Sequence, residues 1–270
     1  MQNPELIPEN EQLLFIDEPL DWSEAHFWGD TGEAIPAPAG EPAALLSRYV
    51  SGDPGGFNIE VEFDGTWNAG LQKAFIDSAE RLSDIIRGDI GDVTWQGNAI
   101  DDIHIDATLV DIDGAGSILG RAGPTAIRTA DYLPATAIME FDSADADAYN
   151  QHGLWDDIVL HEMMHSIGVG TIWDYKGLIS GSGTDRPLFT GPDATLTYNS
   201  LYHVDRAGVP LETGGGEGTR EAHWDEARFE SELMTGYIDR SGTYLSPITV
   251  ASLEDLGYDT TWTAAHYLIA

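Results

Sequence analysis

His161-Glu162-Met163-Met164-His165 decides how this chain is read. The pattern H-E-x-x-H carries chemistry only on a helix. There, residues i and i+4 share a face, so both imidazoles can reach one metal ion. Glu162 follows the first His and is placed to act on a water at that metal. Two His ligands and an adjacent carboxylate are the working parts of a zinc hydrolase, usually a peptidase. The flanking residues predict the helix. Leu160, Met164 and Ile167 recur at i, i+4 and i+7 as one apolar stripe. Asp156 and Asp157 fall in the first turns, where negative charge suits the helix dipole. Gly168 is placed to end the helix in a left-handed conformation.

The 270 residues suffice for one large domain or two subdomains around a cleft, and 42% hydrophobic content supports a substantial core. No run approaches the roughly 18 apolar residues of a membrane span. Met1-Gln2-Asn3-Pro4-Glu5 has neither a basic region nor an apolar core, so it does not read as a signal peptide. The formal net charge of −35 argues against nucleic acid and anionic membranes as partners, because like charges repel. Only Lys73 and Lys176 are lysines; such a surface suits a salty medium, or simply solubility. The absence of Cys excludes disulfides, thiolate ligands and a Cys nucleophile, so a zinc site here must use His, Asp, Glu or Tyr.

Outward from the motif, the chain divides into three parts: an acidic, Pro- and Ala-rich arm or leader over 1–50, an N-terminal subdomain over 51–170, and a C-terminal subdomain over 171–270. Phe57 to Phe63 alternates as a half-buried strand. Leu71, Phe75, Ala79, Leu82 and Ile86 share one helical face, with Gly88 at the helix end. Ile103 to Leu109 and Ala135 to Phe141 predict two more strands, and residues 137–141 could pair with an extended substrate. The expected class is α+β: a mixed sheet with a helix and the H-E-x-x-H helix in the N-terminal half. Residues 174–222 read as irregular. A final helix spans Ile248 to Leu256, capped by Ser246, with Pro247 at its first position and Gly257 closing it.

Two His do not complete a zinc site. A compact continuation, H-E-x-x-H-x-x-G-x-x-H, keeps Gly168 but meets Thr171 where the last His would fall. The third ligand therefore comes from further along, from His203, His223 or His266.

Gly218-Thr219-Arg220-Glu221-Ala222-His223-Trp224-Asp225-Glu226, followed by Glu232-Leu233-Met234-Thr235-Gly236, resembles the leishmanolysin-type metzincins. The resemblance extends to Gly120-Arg121-Ala122-Gly123-Pro124 and Gly170-Thr171-Ile172-Trp173. It implies a metzincin-like fold and a zinc-dependent endopeptidase acting on proteins or peptides. It assigns one catalytic zinc to His161, His165 and His223, and makes Met234 the structural floor of a Met-turn. A water would take the open position, with Glu162 as general base. Tyr237, three residues after Met234, is a candidate for the metal or the oxyanion, although in some metzincins such a Tyr follows the Met by two residues. Leishmanolysin itself is Cys-rich and lipid-anchored; this chain has no Cys and no anchor signal, and reads as a soluble, secreted, bacterial-type relative.

Asp111, Asp113, Asp142, Asp145 and Asp147 could supply oxygen ligands to Ca2+, although none forms an EF-hand. The rival functions are a non-catalytic extracellular metal-binding or adhesion domain, and a zinc hydrolase of small molecules. Glu162 discriminates against the first, since a closed structural site has no need of it.

Overall fold

A computed structural model describes residues 44–216, 218–239 and 242–261, together with the backbone of 13–15 and 23–27. Most of the arm expected over 1–50 lies outside the described residues. Its described parts are strands β1 (Leu13–Phe15), β2 (Ser23–Phe27) and β3 (Arg48–Val50), with residues 44–47 leading into β3.

The alternating stretch forms β4 (Ile59–Asp64), which sends Ile59, Val61 and Phe63 into the core. Helix α1 (Ala69–Ile85) follows. Asn68 caps it, its side chain accepting from Leu71 N, and Leu71, Phe75, Ala79 and Leu82 are buried as their spacing predicts. The hairpin β5 (Val93–Trp95) and β6 (Asn98–Ile100) leads to β7 (Ile103–Val110), β8 (Ser117–Arg128) and β9 (Pro134–Asp142). The main sheet runs β1-β8-β9-β7-β4-β3, with β2 also on β8. β4, β7 and β9 are parallel, while β3 and β8 run against them, so the sheet is mixed as expected.

Two features of this sheet depart from the sequence reading. β8 is a twelve-residue strand for which the sequence reading named no element, although it carries Gly120, Gly123 and Pro124. Its register shifts around Pro124 and Ala126 absorb the proline. β9 is paired on both sides, by β7 and β8, so it is no free edge for a substrate.

After α2 (Ala146–Gln151) comes α3 (Trp155–Ser166), the H-E-x-x-H helix. Asp156 and Asp157 occupy its first turn, and Gly168 beyond its end has φ 106°. A single apolar stripe predicts a half-exposed helix. Instead every residue from Ile158 to Ser166 is buried, because α1, β8 and β9 pack on one side and the C-terminal half on the other.

The C-terminal half holds β10 (Ile179–Ser180), β11 (Leu188–Phe189), α4 (Pro192–Tyr202), β12 (Val209–Pro210), α5 (Glu226–Phe229) and α6 (Pro247–Leu256). α6 matches expectation: Ser246 accepts from Thr249 N, and Gly257 closes it at φ 105°. α4 falls where irregular structure was expected. Its N-terminal amides, of Asp193 and Ala194, donate to Asp255 at 2.9 Å each. That cap comes from α6, so no local signal announces the helix. One continuous core runs from Phe57 to Tyr258.

Candidate metal centre

His161 and His165 sit one turn apart on α3, and His223 arrives from a loop after β12. All three are fully buried. Their Nε2 atoms converge: His161 to His165 at 3.0 Å, and His223 to each of them at 3.1 Å. Each Nδ1 faces a backbone carbonyl: Leu233 for His161 at 2.7 Å, Val169 for His165 at 2.7 Å, and Thr219 for His223 at 3.0 Å. A carbonyl only accepts, so each Nδ1 carries the ring proton and each Nε2 presents a lone pair. Three converging lone pairs repel one another unless an electrophile lies between them. Burial, then the neighbouring His161 and His223, hold the pKa of His165 well below its ordinary value, so its ring stays neutral as a ligand must. Zinc–nitrogen bonds of about 2.0–2.1 Å in a tetrahedron separate donors by about 3.3 Å, close to the spacing seen. The donor set fits a metal such as zinc.

The loop bearing His223 is held on both sides. The His223 carbonyl accepts from Glu212 N at 2.9 Å, and Trp224 N donates to the Met234 carbonyl at 2.9 Å. Trp224 is buried against Trp173, ring centroids 4.7 Å apart, and donates from Nε1 to Thr249 Oγ1 at 2.7 Å. The His-Trp pair thus anchors the ligand loop to α6. Met234 is fully buried on the adjoining turn. Tyr237 sits half-buried three residues later, its carbonyl accepting from Thr235 Oγ1 at 3.3 Å. Thr171 is a hydrogen-bonding residue, its Oγ1 donating to the His165 carbonyl at 2.8 Å. His203 is exposed at the end of α4 and is not brought to the triad; His266 lies outside the described residues.

Glu162 is fully buried beside the triad, under β8. A Cβ on Gly120 would come within 2.8 Å of the Phe141 ring and 3.3 Å of Glu162 Cγ, so only glycine lets β8 lie this close. Gly170 has a parallel role that spacing alone did not single out. It has φ 80°, and a Cβ there would stand 2.1 Å from the Ala222 carbonyl oxygen, next to His223. Gly170→Ala is expected to destabilise the fold by at least about 1–3 kcal/mol and to loosen metal retention. Thermal melts and metal content after dialysis check this; unchanged values in both would contradict the packing argument.

In the acidic loop, Asp142 and Asp145 are engaged by backbone amides. The Asp142 carboxylate accepts from the amides of Ile112, Asp113, Gly114 and Ala144 at 2.8–3.0 Å, and Asp145 accepts from Gly116. Burial raises the pKa of Asp142, but these amides outweigh it and hold it below its ordinary value. Both carboxylates brace the turn into β8. Two further clusters with metal-ligand atoms occur among the described residues. One joins Glu60, Glu62 and His104; there His104 lies 2.9 Å from Glu60 and 3.1 Å from Asp106, and the bond to Asp106 chiefly raises its pKa, which favours the protonated ring of an ion pair over a metal ligand. In the other, Asp102 accepts from the amides of Asn58 and Ile90.

Three imidazoles with converging Nε2 atoms, two of them on an H-E-x-x-H helix, are the donor set of a metallopeptidase. The leishmanolysin family model matches residues 121–269. The chain belongs to the leishmanolysin family of metallopeptidases. It is similar to a leishmanolysin-like peptidase of Drosophila pseudoobscura pseudoobscura, 43% identical over 99 residues, covering 36% of this chain and 14% of the relative. A leishmanolysin-like peptidase of Caenorhabditis elegans is 41% identical over 63 residues, or 23% of this chain and 9% of the relative. The ciliated left-right organizer metallopeptidase of Xenopus laevis is 25% identical over 165 residues, covering 51% of this chain and 23% of the relative. The chain therefore spans less than a quarter of the length of these relatives.

Proposed function

We propose that the chain is a zinc-dependent endopeptidase of metzincin type, with His161, His165 and His223 as ligands and Glu162 as general base. In this reading residues 51–170 supply the helix with two ligands and the base, residues 171–270 supply the third ligand and the Met-turn at Met234, and residues 1–50 form an arm. The supporting observation is the convergence of three Nε2 atoms within 3.1 Å while every Nδ1 is engaged by a carbonyl.

Zinc, when bound, acidifies a water and polarises the scissile carbonyl. Glu162 takes the proton of the attacking water and returns it to the leaving amine. Its burial under β8 shields it from competing solvent. The carbonyls of Leu233, Val169 and Thr219 fix the three imidazoles in one tautomer and orientation, so no ligand reorganises during turnover. Tyr237, on the turn after Met234, is a candidate to steady charge on the substrate oxygen. Peptide or protein substrates and a secreted location accord with the family. No helix among the described residues is long and apolar enough to cross a membrane.

The expected result is about one zinc per chain and cleavage of casein that a chelator abolishes and added zinc restores. Metal analysis beside the digestion assay reads both. Cleavage that proceeds equally well in metal-free protein would overturn the proposal.

A further inference from the structure

Glu232 has no part in the chemistry above, yet it is fully buried, a costly position for a carboxylate. Both oxygens are engaged by donors. Oε2 accepts from Met234 N at 2.5 Å, and Oε1 accepts from Ser246 N at 3.0 Å and Thr249 Oγ1 at 2.5 Å. Thr249 Oγ1 accepts in turn from Trp224 Nε1 at 2.7 Å, so its own proton is directed to Glu232. Burial outweighs these hydrogen bonds and raises the pKa of Glu232 above its ordinary value, but each of the three groups on its oxygens is a donor, the pattern that an ionised carboxylate accepts.

The peptide unit between Leu233 and Met234 carries the argument. Its N–H donates to Glu232, while its carbonyl accepts the Nδ1 proton of His161 at 2.7 Å. The unit is planar and conjugated, so an anion at its N–H end increases the negative charge on its oxygen. A stronger acceptor at Nδ1 makes the opposite nitrogen of the ring more basic. His223 lacks this arrangement: its carbonyl partner belongs to the Thr219–Arg220 peptide, whose N–H donates to the neutral Gly216 carbonyl at 3.1 Å.

We infer that Glu232 is a positioning residue that acts on His161 through the Leu233–Met234 peptide, and that through Thr249 and Trp224 it ties the His223 loop to the same anion. A directly bonded carboxylate is the familiar way to orient a ligand imidazole; here one peptide bond is interposed. The inference rests on the reading of His161 and His223 as metal ligands.

The test is Glu232→Gln in the full chain, which keeps size and one acceptor but removes the charge. Zinc affinity, measured by competition with a chromogenic chelator, is expected to fall about 10–100-fold. In the cobalt-loaded protein the visible bands should shift, and the His161 Nδ1–H proton resonance should move more than those of His165 and His223. A merely structural role would lower the melting temperature and leave the bands and the selective shift unmoved. That outcome overturns the inference, as does unchanged zinc affinity. If Glu232→Gln fails to fold, the wild-type protein decides: the His161 Nδ1–H must resonate furthest downfield of the three ligands, and equality with His223 would count against the relay. Wild-type protein that binds no zinc at all refutes the metal reading, which is a separate result.

Discussion

Glu162→Gln is expected to leave zinc content and melting temperature near wild type while peptide turnover falls by roughly 10²–10⁴-fold, the usual share of a general base. The reasoning is geometric. Glu162 neighbours His161 in sequence, is fully buried, and is absent from the set of converging Nε2 atoms. Gln has the same shape, so it fits beneath Gly120 and Phe141 without the clash that added volume would cause. What it loses is the capacity to take a proton. The loss should therefore appear in kcat and in kcat/KM alike, with KM little changed. A fluorogenic peptide assay at matched zinc loading reads this directly. Wild-type cleavage by the variant would assign the base to another residue.

The sequence carried the parts of the fold whose signals are local. The i, i+4 spacing of His161 and His165 is a helix property and survives intact in α3. The alternation over β4 and β7, the stripe on α1 and the caps of α6 are equally local, and each element lies within a few residues of its expected place. Elements stabilised from a distance were not legible. α4 is capped by Asp255, sixty-odd residues away, and β8 holds its Gly and Pro residues only because β9 and two N-terminal strands pair with it.

The same division runs through the site. Residue types near the motif gave two candidate ligands and a candidate base. The third ligand could not be selected by spacing among His203, His223 and His266, and it was the family resemblance of the His-Trp and Glu-Leu-Met segments that pointed to His223. Glu232 and Gly170 went unread for a related reason. Their roles depend on which atoms lie opposite: the peptide that touches His161 in one case, the carbonyl before His223 in the other. Gly170-Thr171 was visible as part of the resemblance, but nothing in the string of residues says that a Cβ at Gly170 would strike Ala222.

His223→Ala is expected to strip zinc and activity together, while His203→Ala leaves both in place. His223 Nε2 lies 3.1 Å from each of the other two donors, and its Nδ1 is fixed by the Thr219 carbonyl at 3.0 Å. Shared evenly over four ligands, a binding free energy of roughly 10–16 kcal/mol gives about 2.5–4 kcal/mol for one, or about 10²–10³-fold in affinity. That loss is sufficient for a modest chelator to win the metal. The fold should survive, because Trp224 remains bonded to Thr249 and stacked on Trp173, and the strand-like pairing with Glu212 and Met234 uses backbone atoms. His203 is the matched control: exposed, in a left-handed conformation at φ 53° at the end of α4, and outside the converging donor set. Its replacement removes a histidine of the same C-terminal half without touching the centre. Zinc stoichiometry by metal analysis and cleavage of the same peptide should separate the two variants cleanly. Zinc content that followed His203 instead would displace His223 as the third ligand, and with it the carbonyl-fixed triad on which the peptidase reading rests.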